Sequence, residues 1–290
     1  RILRWLLRFI LCRPRLLASG LVVAQALRPL LPARLRQTVP LRQIQKALPE
    51  QQHARKMLIL EGCVQGAATP NTNGAARRVL DRLGISLIGA PKAGCCGAVN
   101  YHLAAHADGL NNMRRNIDAW WPHLQNGAEA IISSASGCGA MLVDYGRLLA
   151  DDPHYADKAK RVSQLSRDIA EILMDEDLTK LTIDTQVGKV AIHSPCTLQH
   201  ALQQPDLIAT LLERAGFEIA ITTEKLLCCG SAGTYSILQS TISEKLRAKT
   251  LHALEHDQPA VIATANVGCQ LHLQAAAGVP VVHWIELLDA

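Results

Sequence analysis

The sequence predicts an α/β protein: two tandem homologous domains with mainly parallel sheets flanked by helices, preceded by a helical basic arm. Two observations predict it. Eight of the nine cysteines fall into two copies of one spacing, and short apolar runs alternate with helical segments through both copies. Cys63 to Cys95 and Cys196 to Cys228 are each 32 positions apart, and each second cysteine opens a Cys-Cys-Gly, at Cys95-Cys96-Gly97 and Cys228-Cys229-Gly230. The next cysteine stands 42 positions beyond Cys96, at Cys138, and 40 beyond Cys229, at Cys269. An offset of 133 residues, 131 at the last cysteine, marks two homologous units and leaves only Cys12 over.

The elements follow in order. Residues 57–60 are a short apolar run that reads as a buried strand before Cys63. Helical spacing over 73–83 stops at Gly84, a strand is expected at 85–88, and the loop 94–97 carries the paired cysteines. A helix at 106–121 and a strand at 130–133 lead to Ser136-Gly137-Cys138-Gly139 and another helix. The second copy repeats the plan: strand 190–193, helix 206–215, strand 217–222, loop 228–230, helix 241–256 and strand 260–264 before Cys269. Strands alternating with helices of ten or more residues imply a parallel sheet with right-handed crossovers. Residues 157–175, charged and helical, are read as an interdomain helix. The resulting boundaries are an arm at 1–51, a first cysteine-rich domain at 52–150, a linker at 151–186 and a second cysteine-rich domain at 187–290. Trp120 and Trp121 end a helix and are read as packing between the domains.

Charge is unevenly placed. Residues 1–50 hold ten Lys/Arg and one acid, so the arm carries +9 while the chain as a whole carries +5. The arm begins at Arg1 without an initiator Met, which suggests a fragment or a processed form. Its longest apolar run, Leu16 to Leu27, is twelve residues, short of the roughly 20 that span a bilayer. An amphipathic helix that packs on a partner or lies on a membrane surface is expected. Aromatic residues are only 3%, too few for the stacking platforms of single-stranded nucleic-acid binding, so no nucleic-acid partner is expected. No glycine-rich phosphate loop and no Ser/His/Asp set is present, and no catalytic residue is assigned.

The chemistry lies in the thiols. An odd number of cysteines in a chain of 290 residues without a convincing export signal favours intracellular metal or redox use over a disulfide framework. Every motif cysteine stands just past the C-terminal end of an expected strand, where open parallel sheets bind their ligands. Thiolates select zinc, copper(I) or iron–sulfur clusters, and adjacent cysteines differ from the Cys-x₂₋₄-Cys pairs of structural zinc. Iron–sulfur ligation by Cys63, Cys95, Cys96, Cys138, Cys196, Cys228, Cys229 and Cys269 is the leading reading. Zinc and a metal-free thiol pair are the alternatives. His193, His200, His272 and His283 lie near the second set; one is a candidate ligand or proton carrier, against the ordinary reading of satisfied histidines at a sheet edge.

These residues resemble the cysteine-rich CCG domain family, present twice, and within it the iron–sulfur subunits of bacterial glycolate oxidases. The resemblance rests on Leu60-Glu-Gly-Cys63, Ala93-Gly-Cys-Cys-Gly-Ala98, Asn116-Ile-Asp-Ala-Trp-Trp-Pro122 and Ser136-Gly-Cys-Gly139. To these add Pro195-Cys-Thr-Leu-Gln-His200, Leu227-Cys-Cys-Gly-Ser-Ala-Gly-Thr-Tyr235, Asn266-Val-Gly-Cys-Gln-Leu-His272 and His283-Trp-Ile-Glu286. It covers about residues 57–290, and residues 1–51 look like the family's connecting helices. The family's ferredoxin-like part, with two Cys-x₂-Cys-x₂-Cys-x₃-Cys-Pro runs, does not occur in this sequence. The wider family often closes with Cys-x-x-Cys; here Met141 and His272 end that window, leaving four cysteines per repeat, one short of a five-thiolate cluster.

The resemblance implies an electron-transfer subunit of a glycolate (2-hydroxy acid) oxidase or dehydrogenase, acting on CH–OH with an acceptor other than NAD or O2. It implies clusters of the [4Fe–4S] type, FAD on a flavin-containing partner subunit, and a membrane acceptor such as the quinone pool. The implied location is cytoplasmic, at the inner face of the cell membrane. The alternatives are a zinc-stabilised scaffold and a heterodisulfide-reductase-like thiol redox subunit.

Overall fold

The computed structural model describes residues 2–224 and 227–289; Arg1 and Ala290, the outer ends of the expected arm and second domain, lie outside the described residues, as do Lys225 and Leu226. Met57, Leu58 and Ile59 are consecutive apolar residues, all buried, as a strand between two helical layers requires. They form β1 (Arg55–Ile59), which lies between β2 (Ile85–Gly89) and β3 (Ile131–Ser133). A fourth strand, β4 (Ser166–Asp168), pairs with β3, and every pair in this sheet is parallel. The second sheet, also parallel, has the order β5 (Val190–His193), β6 (Val261–Thr264), β7 (Val281–His283).

Two expected elements differ. The strand expected at 217–222 is reduced to a single parallel bridge, Val190 to Ile219. The Ala220 N–H meets the Val190 carbonyl at 3.0 Å, but the chain then turns from β5, and the Ile221 N–H, on the opposite edge, is taken by the Asp257 carboxylate at 3.0 Å. The helix expected over 157–175 is broken into Ala156–Leu165 and Ile169–Met174, with β4 between them. Asp168 causes the break. Its side chain accepts from the Ala170 N–H at 2.9 Å while Glu171 accepts from the Asp168 N–H at 2.6 Å. Such a capping box holds the cap residue in extended backbone, and extended residues at that point pair with β3. The strand β7 had no separate expectation in the sequence.

One core joins the two sheets. Val79 and Leu80 of the helix Pro70–Arg82 share it with Leu211 and Leu212 of Leu207–Arg214 and with Trp284 and Leu288. The outer faces have their own cores; Trp120 packs in that of the first sheet with Met113, Ile117 and Tyr145, not between the two units. Polar ties reinforce the junction: Arg78 and Arg82 both bind the buried Asp289 carboxylate, and Thr72 donates to Glu286 at 2.7 Å.

His283 ties the two halves together. Its Nε2 donates to the Ser134 carbonyl at 2.6 Å and its Nδ1 accepts from the Ile285 N–H at 3.2 Å, so the ring must be neutral. Burial pushes its pKa down to about 4, with the Ser134 carbonyl opposing the shift. A histidine depressed in the folded state contributes stability that is present above its unfolded pKa of about 6.5 and lost as pH falls towards 4, about 3 kcal/mol in all. Asp168, raised by burial to about 7, acts in the opposite direction, so the comparison must be differential. We expect His283→Gln, which keeps a donor for Ser134, to lose less stability than the parent chain between pH 6.5 and 4 in urea titrations. Parallel pH profiles would refute it.

The arm lies on the outside. Its helices Ile2–Leu11 and Pro14–Leu27 bury no residue, and they pack against Ala98–His102 and Gln65–Ala68 respectively. The short helix Ala33–Thr38 reaches Val267–Gln274 of the second unit. Among the described residues no helix is long and apolar enough to cross a membrane.

Candidate metal centres

In the first unit Cys63 follows β1, Cys95 and Cys96 follow β2, and Cys138 lies in the first turn of the helix Ser136–Val143 after β3. The strands thus deliver four thiols to one sheet edge. Cys63 Sγ lies 3.5 Å from Cys95 Sγ, and Cys96 interacts with Cys138 and Cys95. A fifth sulfur joins them: Cys12, carried in by the arm, comes close enough to Cys95 for the two thiols to interact. Nothing in the repeat spacing signals Cys12; only the packing of the arm places it.

The loop is clamped from behind. Buried Asn116 accepts from the Gly94 N–H at 2.9 Å and donates to the Cys95 carbonyl at 3.0 Å; Tyr145 donates to the Cys96 carbonyl at 2.7 Å. Gly97 has φ +96°, and a Cβ there would lie 2.9 Å from the Gly109 carbonyl oxygen, so the residue after the pair must be glycine. Sequence reasoning did not single out Asn116 or Tyr145 as site residues. The segment 116–122 was legible only as part of the family resemblance.

The second unit repeats the arrangement. Cys196 opens a single π-helical turn, Thr197–Ala201, after β5; Cys269 lies in the first turn of Val267–Gln274 after β6. Cys229 Sγ is 3.1 Å from Cys269 Sγ, and Cys196 interacts with Cys228. Backbone N–H groups of Gly230 and Ser231 point at Cys228 and Cys229 sulfur at 3.4 and 3.5 Å. Ser243 donates to the Gly230 carbonyl and Thr250 to that of Cys228, the counterpart of the Asn116 clamp. Of the four histidines near this set, His283 has both nitrogens engaged, His272 Nε2 meets Ser243, and His200 is exposed. His193 differs: its ligand atom and those of Cys229 and Cys269 all lie within 4.8 Å of one another.

The two thiol sets adjoin across the domain junction. The Ser136 N–H donates to the Ala265 carbonyl at 3.0 Å, and Ser136 and Thr197 hydroxyls meet at 2.7 Å, so the turns bearing Cys138, Cys196 and Cys269 touch.

Electrostatically each set has one anionic centre. Hydrogen bonds from Cys12, Cys63 and Cys96 hold Cys95 well below the usual thiol range, and those from Cys196 and Cys229 do the same for Cys228. The donors Cys63 and Cys96, and likewise Cys196 and Cys229, are pushed up by the hydrogen bonds they share, with burial adding to the effect. Several buried thiols packed around one thiolate form a soft donor set for a metal or cluster, and loading it must expel the shared S–H protons.

Residues 57–143 and 190–274 match the family described as a cysteine-rich domain, CCG. The chain belongs to the cysteine-rich CCG domain family. It is 47% identical over 290 residues to the glycolate oxidase iron–sulfur subunit of Escherichia coli (strain K12), covering 100% of this chain and 71% of that protein. The probable glycolate oxidase iron–sulfur subunit of Bacillus subtilis (strain 168) is 27% identical over 76% of this CCG chain, and the match spans only 49% of that relative. Lactate utilization protein A of Bacillus licheniformis is 25% identical over 81% of the chain and 99% of its own length.

Proposed function

We propose that this CCG chain is the electron-carrying iron–sulfur subunit of a glycolate oxidase or dehydrogenase complex. In this reading a FAD-bearing partner subunit oxidises glycolate to glyoxylate, and the chain passes the electrons towards a membrane acceptor such as the quinone pool. The observation that carries the reading is the convergence of two thiol sets at strand ends in a chain 47% identical to the Escherichia coli subunit. Cys63, Cys95, Cys96 and Cys138 would hold one group and Cys196, Cys228, Cys229 and Cys269 the other. The donor set fits: the sulfurs are soft, mostly buried, and met in the second unit by backbone N–H groups. A bound cluster, of the [4Fe–4S] type in this proposal, supplies one-electron storage.

The chain's own residues do the rest. N–H groups directed at sulfur tune a cluster's potential, and the contact of Ser136 with Ala265 and Thr197 gives a short path between the sets that avoids bulk water. The arm's +9 charge and its exposed Trp5, Leu6 and Phe9 suit docking on an acidic partner or on anionic lipid at the cytoplasmic face. A zinc scaffold is the second reading, favoured by the compact His193–Cys229–Cys269 group. Anaerobic purification of the full complex with iron, sulfide and zinc quantitation separates the two. Iron and acid-labile sulfide with visible charge-transfer absorption are expected; zinc without sulfide would overturn the electron-carrying reading.

A further inference from the structure

We propose that His193 is a ligand of the second site, its Nε2 taking one metal position while cysteines of the set Cys196, Cys228, Cys229 and Cys269 take the others. The first set, by contrast, draws its additional donor from sulfur, at Cys12. The inference rests on the metal-binding reading above and assigns a residue that the cysteine spacing does not reach.

Four observations carry it. His193 is the last residue of β5 and only 3% exposed, and its ligand atom lies within 4.8 Å of those of Cys229 and Cys269. Its Nδ1 is held by Thr264 Oγ1 at 2.9 Å, and Thr264 is its register partner on β6, so the sheet itself sets the ring's orientation. With Nδ1 donating to that hydroxyl, Nε2 keeps its lone pair, the arrangement in which metal-bound imidazoles are held by an outer partner. Finally, Nε2 has no hydrogen-bond partner although it is buried. A buried polar atom without a protein partner needs a water or an ion to satisfy it, and here the open nitrogen stands beside two thiols, so a metal would supply the partner.

Subtracting the repeat offset from His193 gives Leu60, an apolar side chain 2% exposed. The imidazole is therefore particular to the second unit and not a shared feature of the repeat. The chemical consequence is an asymmetry. A neutral nitrogen beside thiolates leaves less negative charge on a cluster and raises its potential, as histidine does where it replaces cysteine at an iron–sulfur centre. The second site then accepts electrons more readily than the first, which sets a direction for transfer across the Ser136–Thr197 contact.

The test uses the full complex, reduced anaerobically and labelled with 15N in histidine alone. Pulsed EPR should show a nitrogen coupling of a directly bound imidazole that changes with the label. That result needs no variant and so cannot be confounded by misfolding. His193→Cys should abolish the coupling, keep the iron content and shift one cluster's potential downward, while Leu60→Val should change neither. Reduced clusters without a histidine nitrogen coupling would overturn the proposal. If the chain instead purifies with zinc and no sulfide, the cluster reading fails while the ligand remains testable. Zinc X-ray absorption must then show imidazole scattering that is lost in His193→Gln, and an all-sulfur zinc site would sink it.

Discussion

Replacing Cys229 with Ser is expected to strip or damage the second site and cut electron delivery to the distal acceptor by more than ~100-fold, beyond the roughly 10–100-fold that loss of an outer-shell partner costs. Cys229 is buried, 3.1 Å from Cys269 sulfur, and receives the Ser231 N–H. A hydroxyl is a hard, weakly acidic group where a soft thiolate is needed. Cys96→Ser should do the same at the first site, where Cys96 contacts both Cys138 and Cys95. In both variants, glycolate oxidation measured with an artificial dye at the flavin subunit should persist. A structural zinc predicts otherwise, because losing it removes folding free energy outright; assembly and both activities would then fall together. Normal metal content and normal electron delivery in both variants would leave the cysteines as packing.

Gly230→Ala should be nearly as disruptive without touching a sulfur. Gly230 has φ +85°, and an added Cβ would lie 2.5 Å from the Ser243 carbonyl oxygen and 3.0 Å from Leu246 Cβ. The oxygen belongs to helical backbone and cannot swing aside. Positive φ in a residue with a Cβ costs about 1–3 kcal/mol, and the clash adds to it, so a loss of about 3 kcal/mol or more is expected. Gly97→Ala meets the Gly109 carbonyl at 2.9 Å and should cost somewhat less. Both should lower the melting temperature and reduce metal uptake, because the same turn aims the paired cysteines. Gly20→Ala is the control: it lies in the helix Pro14–Leu27 with nothing within 4 Å of its Cβ, and should be neutral or stabilising by about 0.5–1 kcal/mol. Equal melting temperatures for all three variants would contradict the turn geometry.

The strands that deliver the thiols were legible because their signals are local. Met57 to Leu60, Val190 to His193 and Val261 to Thr264 are unbroken apolar runs or nearly so, and a parallel strand buried on both faces demands that pattern. Spacing alone also placed Cys63 near Cys95 and Cys229 near Cys269, since strand, crossover and strand return the chain to the same edge. What failed locally failed for stated reasons. The stretch 217–222 has strand composition, but it leaves β5 after the single bridge at Ile219, with Ile221 held from the opposite edge by Asp257. Residues 166–168 sit inside a helical pattern, but the Asp168 cap imposes extended backbone.

By itself, then, the sequence determined the two repeated α/β units, the sheet edge at which the thiols meet, and the eight cysteines that meet there. Tertiary structure alone decided that Cys12 and His193 join them. Cys12 arrives because an amphipathic arm folds back over the first unit, a placement set by surface contacts tens of residues apart in the chain. His193 arrives because β5 and β6 align it with Thr264, which holds its ring beside Cys229 and Cys269. The single core joining the sheets is of the same kind. Local periodicity shows which face of an element is apolar, whereas the partner of that face is chosen by long-range packing, which leaves no periodic trace in the sequence.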